Sequence, residues 1–322
     1  MKRKWLSTSF VLFLFAALPL RAYAAELLIP GGQIIGLELR DDTVTVAAFD
    51  DALGKEAREA GIEIGDKILM IDETAIHCVE DVKAALGQCD EDIDITLLRG
   101  SKREKIRMCP RETEHGRKLG VYLRQGIAGI GTVTFYDPET HRFGTLGHGV
   151  NDSHGSLLKM TGGSAYEAKI HSVKKGKSGT PGQLQGSAAG QTAAGKLLRN
   201  TPQGVFGTME DQLRGEPLPV ADYEEISTGP ALIRSTVDGS AVREYSVEIL
   251  KIYPEDRADG RNFLLKVTDP NLLKATGGIV QGMSGSPIIQ DGKLVGAVTH
   301  VLVNSPDTGY GIFIENMLDA AG

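Results

Sequence analysis

The chain has 322 residues, 41% of them hydrophobic, enough for a buried core and for two domains. Forty glycines against 6% aromatic residues point to many turns and short strands and speak against a helical bundle. The net charge of −7 is spread over interspersed acidic and basic residues, with no basic face or tail of the kind that binds nucleic acid.

At the start, Lys2, Arg3 and Lys4 precede an unbroken apolar run over 10–20, and Ala22-Tyr23-Ala24 supplies a small-x-small cleavage pattern. Residues 1–24 are therefore expected to direct export, either as a removed signal peptide or as a retained N-terminal membrane anchor. The run is shorter than the ~20 apolar residues of a spanning helix. Both readings place the rest of the chain outside the cytoplasm, and no later stretch is long and apolar enough to cross a membrane.

Residues 35–40 and 43–49 read as strands around a turn at Asp41-Asp42, and 54–60 as a short helix. A turn and a buried strand follow over 62–72. Val79, Val82 and Leu86 share one helical face, and Glu80 and Asp81 suit its first turn. Strands at 94–99 and 105–109 complete a small domain. The ordered set Ala60-Gly61-Ile62, Gly65-Asp66, Ile68 and Ile71-Asp72 resembles a PDZ domain, over 30–111. That resemblance implies a loop, Ile35-Gly36-Leu37, whose N–H groups bind a peptide carboxylate while the peptide adds to the next strand's edge. The plainer alternative makes Ile35, Leu37 and Val82 core residues of a small domain. Cys78, Cys89 and Cys109, the only cysteines, fall in this region as buried thiols or one disulfide plus a thiol. They lack the spacing of a zinc site, and no metal or cofactor is expected.

The polar stretch 112–118 reads as a linker to a second domain, 119–322. Strands are expected at 120–124, 131–136 and 143–146, the last two joined by a turn at 137–141. Residues 174–194, rich in Gly, Ser and Gln, read as a long exposed loop. Further strands are expected at 231–235, 245–253 and 263–268, and a hairpin turns at Asp291-Gly292.

Before that hairpin lies Gly282-Met283-Ser284-Gly285-Ser286-Pro287. A serine that attacks a carbonyl needs a tight exposed turn, a base, and N–H groups aimed at the oxyanion. The flanking glycines allow the turn, and the N–H groups of Gly282 and Ser284 could form the oxyanion hole. This loop resembles that of chymotrypsin-like serine proteases, including the exported HtrA group. Of seven histidines, His148, between Gly147 and Gly149 after a strand, is best placed as base, with His300 in reserve. Asp269 and Asp152 both remain as the acid that orients it.

The PDZ-like region, Thr145-Leu146-Gly147-His148, Lys266-Val267-Thr268-Asp269-Pro270 and residues 278–287 occur in an order similar to that of SpoIVB, the stage IV sporulation peptidases. The resemblance implies a mainly β chain, a small PDZ-like α/β domain followed by a chymotrypsin-like double β-barrel, with the triad on His148, Asp269 and Ser284. It further implies cleavage of a membrane-bound sporulation regulator between the two forespore membranes, activation of a mother-cell sigma factor, and self-cleavage. The PDZ-like region would take part in self-recognition and substrate targeting, binding peptide C-termini or internal segments. The rivals are an HtrA-like quality-control protease and a catalytically silent binding protein.

Overall fold

Alternation of apolar and polar residues carries most of the chain into β-strands, whose inward faces build three cores. The computed structural model describes residues 26–89, 91–152, 155–190, 192–210, 213–253 and 260–322. The export segment read at 1–24 lies outside the described residues. No helix among them is long and apolar enough to cross a membrane.

The first barrel closes through β2 (Ile34–Phe49), β7 (Val121–Tyr136), β8 (Arg142–Thr145), β12 (Gly204–Met209), β11 (Gly195–Thr201) and β9 (Gly162–Lys174), which pairs back onto β2. A short β1 (Leu27–Pro30) adds to β7 and also pairs with β13 (Leu218–Pro219). The second barrel closes in the order β14 (Gly229–Ser235), β15 (Arg243–Ile252), β16 (Phe263–Val267), β19 (Ser305–Phe313), β18 (Lys293–Leu302) and β17 (Pro287–Gln290). Along β15 the burial alternates from Glu244 to Leu250, sending Tyr245, Val247 and Ile249 inward, where Phe263 and Phe313 meet edge to face at 4.8 Å. Two closed barrels leave few exposed strand edges. The barrels meet across Leu28, Phe135 and Phe206 on one side and Ala297, Ile312 and Met317 on the other.

The small domain is inserted into the first barrel rather than preceding it. The β2–β7 ribbon runs through both. Ile34 to Leu39 pair with Thr132 to Ile127 in the barrel; the register then shifts, and Val44 to Phe49 pair with Gln125 to Val121 in the small domain. The strands expected at 35–40 and 43–49 are thus one, as are those at 120–124 and 131–136. The small domain adds α1 (Lys55–Glu59), β3 (Lys67–Ile71), β4 (Thr74–Ala75), α2 (Val79–Gln88), β5 (Ile93–Arg99) and β6 (Lys102–Met108). Its core joins Val44 and Val46 to Ile68, Ile71, Val82, Ile95 and Leu119. Asp66, 1% exposed, receives two bonds of 2.8 Å from Arg99 and one of 2.8 Å from the Glu63 N–H.

Two further expectations change. The stretch 112–118 is a closed hairpin, with Arg111 and Lys118 exchanging backbone bonds of 2.9 Å. The long loop read at 174–194 contains a strand, β10 (Gln183–Ala188), that pairs with β9. Gly176 and Gly182 are buried, whereas Ser178, Gly179, Ser187 and Gly190 are exposed, as expected of that stretch. Cys78, Cys89 and Cys109 form no disulfide with one another.

Candidate active site

A short helix, α3 (Pro270–Thr276), ends at Gly277, and the chain then turns through 278–286 before β17. The first barrel holds this turn from below. The N–H of Thr132 donates to the Ser284 carbonyl at 3.0 Å, and the hydroxyls of Thr132 and Thr134 donate to the carbonyls of Gly282 and Gly285, each at 2.8 Å. Gly285 is required here. Its φ is +96°, and a Cβ would lie 2.0 Å from the Thr132 carbonyl oxygen.

The N–H groups of Met283, Gly285 and Ser286 are engaged with Val280, Val298 and Met283 carbonyls. Those of Gly282 and Ser284 donate to no acceptor among the described residues. The Gln281 carbonyl accepts from the Leu184 N–H at 2.8 Å. In a trans peptide the N–H opposes the C=O. The Gly282 N–H therefore points away from β10, toward the cleft that Gly282 lines.

That cleft, about 390 Å³, lies between the barrels. Ser284 and His148, both half-buried, share it with His300 and Thr299. Apart from Gln281 its remaining walls are mostly apolar, with Leu37, Ile127 and Ile130 from the β2–β7 ribbon and Ile279, Val280 and Val301 from the second barrel. The Ser284 hydroxyl donates to the Thr299 carbonyl at 2.7 Å, so it must rotate to reach an imidazole. His148 Nδ1 sits 3.0 Å from the Gly149 carbonyl, which fits an Nδ1–H tautomer and leaves Nε2 as the basic nitrogen. Burial lowers the His148 pKa; the Gly149 carbonyl pulls it up but less strongly. The imidazole is thereby kept neutral and able to accept a proton. The His300 ring lies 5.1 Å from that of His148, centre to centre.

The structure brings Gly282, Ser284 and His148 to one cleft, but not Asp269. Asp269 is the N-cap of α3, its Oδ1 accepting from the N–H groups of Asn271 at 2.8 Å and Leu272 at 2.9 Å. Asp-Pro at a helix start reads equally well as a cap followed by an N1 proline, and that role is the one seen. Asp152 accepts from the Ser156 N–H at 3.1 Å within its own loop. No group of three His, Cys, Asp or Glu side chains among the described residues is arranged to hold a metal.

Ile35, Gly36 and Leu37 do not form a carboxylate loop either. They lie inside β2, paired on one side with Gly131, Ile130 and Gly129 and on the other with Glu167, Tyr166 and Ala165. Both edges are occupied, so neither a peptide strand nor a carboxylate can use those N–H groups. Ile35 and Leu37 are core residues of the first barrel.

A different groove has the required shape. It is a cavity of about 330 Å³ between Val79, Val82 and Leu86 of α2 and residues 119–123. Residues 121–125 pair with β2 on one edge only, among the described residues. Gly120, at φ +74°, turns the chain into that strand, and the N–H groups of Leu119 and Gly120 donate to no described acceptor. Leu119-Gly120-Val121 shows the same apolar-Gly-apolar signal as Ile35-Gly36-Leu37, and only the tertiary pairing separates the two.

Residues 115–318 match the family model described as SpoIVB peptidase S55. The chain belongs to the SpoIVB peptidase S55 family. It is a serine endopeptidase of chymotrypsin-like double-barrel fold. The Rv3671c protease from M. tuberculosis in its active form shares 16% identity, over 61% of this chain and 75% of that one, with a TM-score of 0.36. The inactive form of Rv3671c covers 60% and 84%, again at 16% identity and a TM-score of 0.35. The HtrA-type protease AlgW with a tripeptide shares 13% identity over 60% and 54%, with a TM-score of 0.37. No curated protein matches the chain. The family match begins at residue 115, yet β2, far upstream of it, is needed to close the first barrel.

Proposed function

We propose that this SpoIVB-family enzyme is an exported regulatory peptidase that cleaves a membrane-bound regulator during endospore formation, and also itself, using Ser284 and His148. Ser284 attacks the peptide carbonyl, His148 Nε2 takes its proton and later gives it to the leaving amine, and the N–H groups of Gly282 and Ser284 hold the oxyanion. The Gly149 carbonyl orients the imidazole, in the place that the acid takes in the full triad. The observation that supports this most directly is the shared cleft of Ser284 and His148 beside two unengaged N–H groups. In this reading Asp269 serves as the cap of α3 and not as the acid of the triad that the sequence resemblance implies. The step is acyl transfer to water, which needs no redox partner.

The largely apolar lining of the cleft favours an uncharged, apolar segment of substrate over a charged one. The groove between α2 and residues 119–123 would take a peptide C-terminus, its carboxylate on the Leu119 and Gly120 N–H groups and its last side chain against Val82 and Leu86. Fluorophosphonate labelling of purified protein tests the nucleophile. Wild type should be labelled on Ser284 and Ser284→Ala should not; an unlabelled wild type would reject the reading. Casein degradation tests the regulatory character, since a quality-control enzyme would digest it and this one should not. For the groove, Val79→Glu should weaken binding of an apolar C-terminal peptide without changing Ser284 labelling. Equal binding by the amidated peptide would rule out carboxylate recognition there.

A further inference from the structure

Thr132 is 0% exposed, yet all of its polar groups are turned toward the candidate catalytic loops. Its hydroxyl donates to the Gly282 carbonyl at 2.8 Å and its N–H to the Ser284 carbonyl at 3.0 Å. Its own carbonyl accepts from the Thr145 hydroxyl at 2.6 Å and from the Leu146 N–H at 3.4 Å. Thr145 and Leu146 lead directly into Gly147-His148. One residue thus touches the oxyanion loop, the nucleophile's own backbone and the strand that delivers the base.

A buried hydroxyl without a partner costs stability, and a valine would fill the same volume. The neighbours Val133 and Phe135 show that this strand takes apolar residues where it faces a core. The hydroxyl is therefore unexplained by packing alone. Its acceptor explains it. Gly282 is flanked by two peptide planes. Leu184 N–H holds the first through the Gln281 carbonyl, and the Thr132 hydroxyl holds the second through the Gly282 carbonyl. With both planes fixed, the Gly282 N–H cannot swing out of the cleft.

We propose that Thr132 is a positioning residue for the peptidase reaction, its hydroxyl fixing the oxyanion-binding conformation of Gly282. The proposal rests on Ser284 as the nucleophile. It touches no substrate atom, and its effect should fall on the bond-forming step rather than on binding.

Fluorophosphonate labelling of Ser284, followed over a range of probe concentrations, separates the maximal inactivation rate from the half-saturating concentration. Thr132→Val should lower the maximal rate about 10- to 100-fold and leave half-saturation within about 2-fold, because the donor is misplaced and not deleted. Thr132→Ser keeps the hydroxyl and should restore the rate to within about 3-fold of wild type, whatever it does to Tm. A valine variant as fast as wild type overturns the proposal. So does a serine variant slowed more than about 10-fold, since packing rather than the hydroxyl would then govern. The serine variant decides alone if the valine variant does not fold. Wild type labelled elsewhere than Ser284, or not at all, would remove the nucleophile assignment first.

Discussion

Asp269→Asn and Asp269→Ala separate two roles for one carboxylate. Its Oδ1 accepts both N–H groups at the start of α3, at 2.8 and 2.9 Å. Asparagine offers a carbonyl oxygen in the same place and caps helices as well as aspartate does, so Asp269→Asn should leave Tm nearly unchanged. Alanine removes both bonds and should cost about 0.5–2 kcal/mol. For a protein of this size each kcal/mol corresponds to roughly 2–4 °C in Tm. A triad acid behaves otherwise, because the asparagine substitution there costs about 10,000-fold in rate with the geometry intact. With His148 Nδ1 facing the Gly149 carbonyl, the structure leads us to expect Ser284 labelling of Asp269→Asn within about 3-fold of wild type, far from the loss a triad acid would show. Alanine should melt earlier yet label comparably well below its melting range. Differential scanning calorimetry and fluorophosphonate labelling on the same samples give both readouts. An asparagine variant with wild-type Tm but labelling reduced a thousandfold would refute the reasoning, and would mean that Asp269 reaches His148 in the working enzyme.

Three other outcomes follow from the same geometry. Burial holds the His148 pKa below its ordinary value of about 6.5, so the neutral, base-competent form persists as pH falls. The acid-side midpoint of the labelling rate should lie below that value, and a midpoint at neutral pH or above would contradict it. For Asp66, burial raises the pKa, but Arg99 and the Glu63 N–H outweigh it and hold it low, so its stabilisation is present above the unfolded carboxylate pKa and lost as pH falls through the lowered one. Arg99→Leu should cost about 1–3 kcal/mol at neutral pH by urea unfolding, with the gap to wild type closing below about pH 4; a gap independent of pH would argue against the pair. Gly285→Ala should abolish labelling, since its Cβ would meet the Thr132 carbonyl oxygen at 2.0 Å; a well-folded alanine variant that labels normally would show that the loop is not held as described.

Much of the second barrel was legible because β14, β15 and β16 alternate buried and exposed residues and the turn into β18 carries Asp291-Gly292. The nucleophile loop was legible because its glycine-serine motif, common by itself, stands before a hairpin and after the Gly147-His148-Gly149 stretch. What the sequence concealed was pairing at a distance. Residues 35–40 and 43–49 show a break at Asp41-Asp42, yet one strand passes through it, because the register shift is absorbed by the ribbon with β7. Ile35-Gly36-Leu37 and Leu119-Gly120-Val121 are equivalent as local patterns. Only the occupied edges of the first, paired with β7 and β9, exclude it as a peptide site. Asp269-Pro270 was ambiguous in the same way, since a cap and a catalytic acid can share a sequence and differ only in what the free oxygen faces.

The β2–β7 ribbon gives this ambiguity a structural cause. Inserting the small domain into the first barrel makes two long strands serve two cores, so residues close in sequence answer to different neighbours. On β7 the order is groove edge at 121–123, cleft wall at Ile127 and Ile130, then the loop-holding Thr132 and Thr134. A barrel strand that merely closed a sheet would have no need of buried threonines there. Their hydroxyls donate instead to carbonyls of the nucleophile loop of the second barrel, tying it to the first. The candidate site is therefore not a property of residues 278–286 alone. It depends on the first barrel being closed, and closure depends on β2, which enters the barrel more than 200 residues before Ser284.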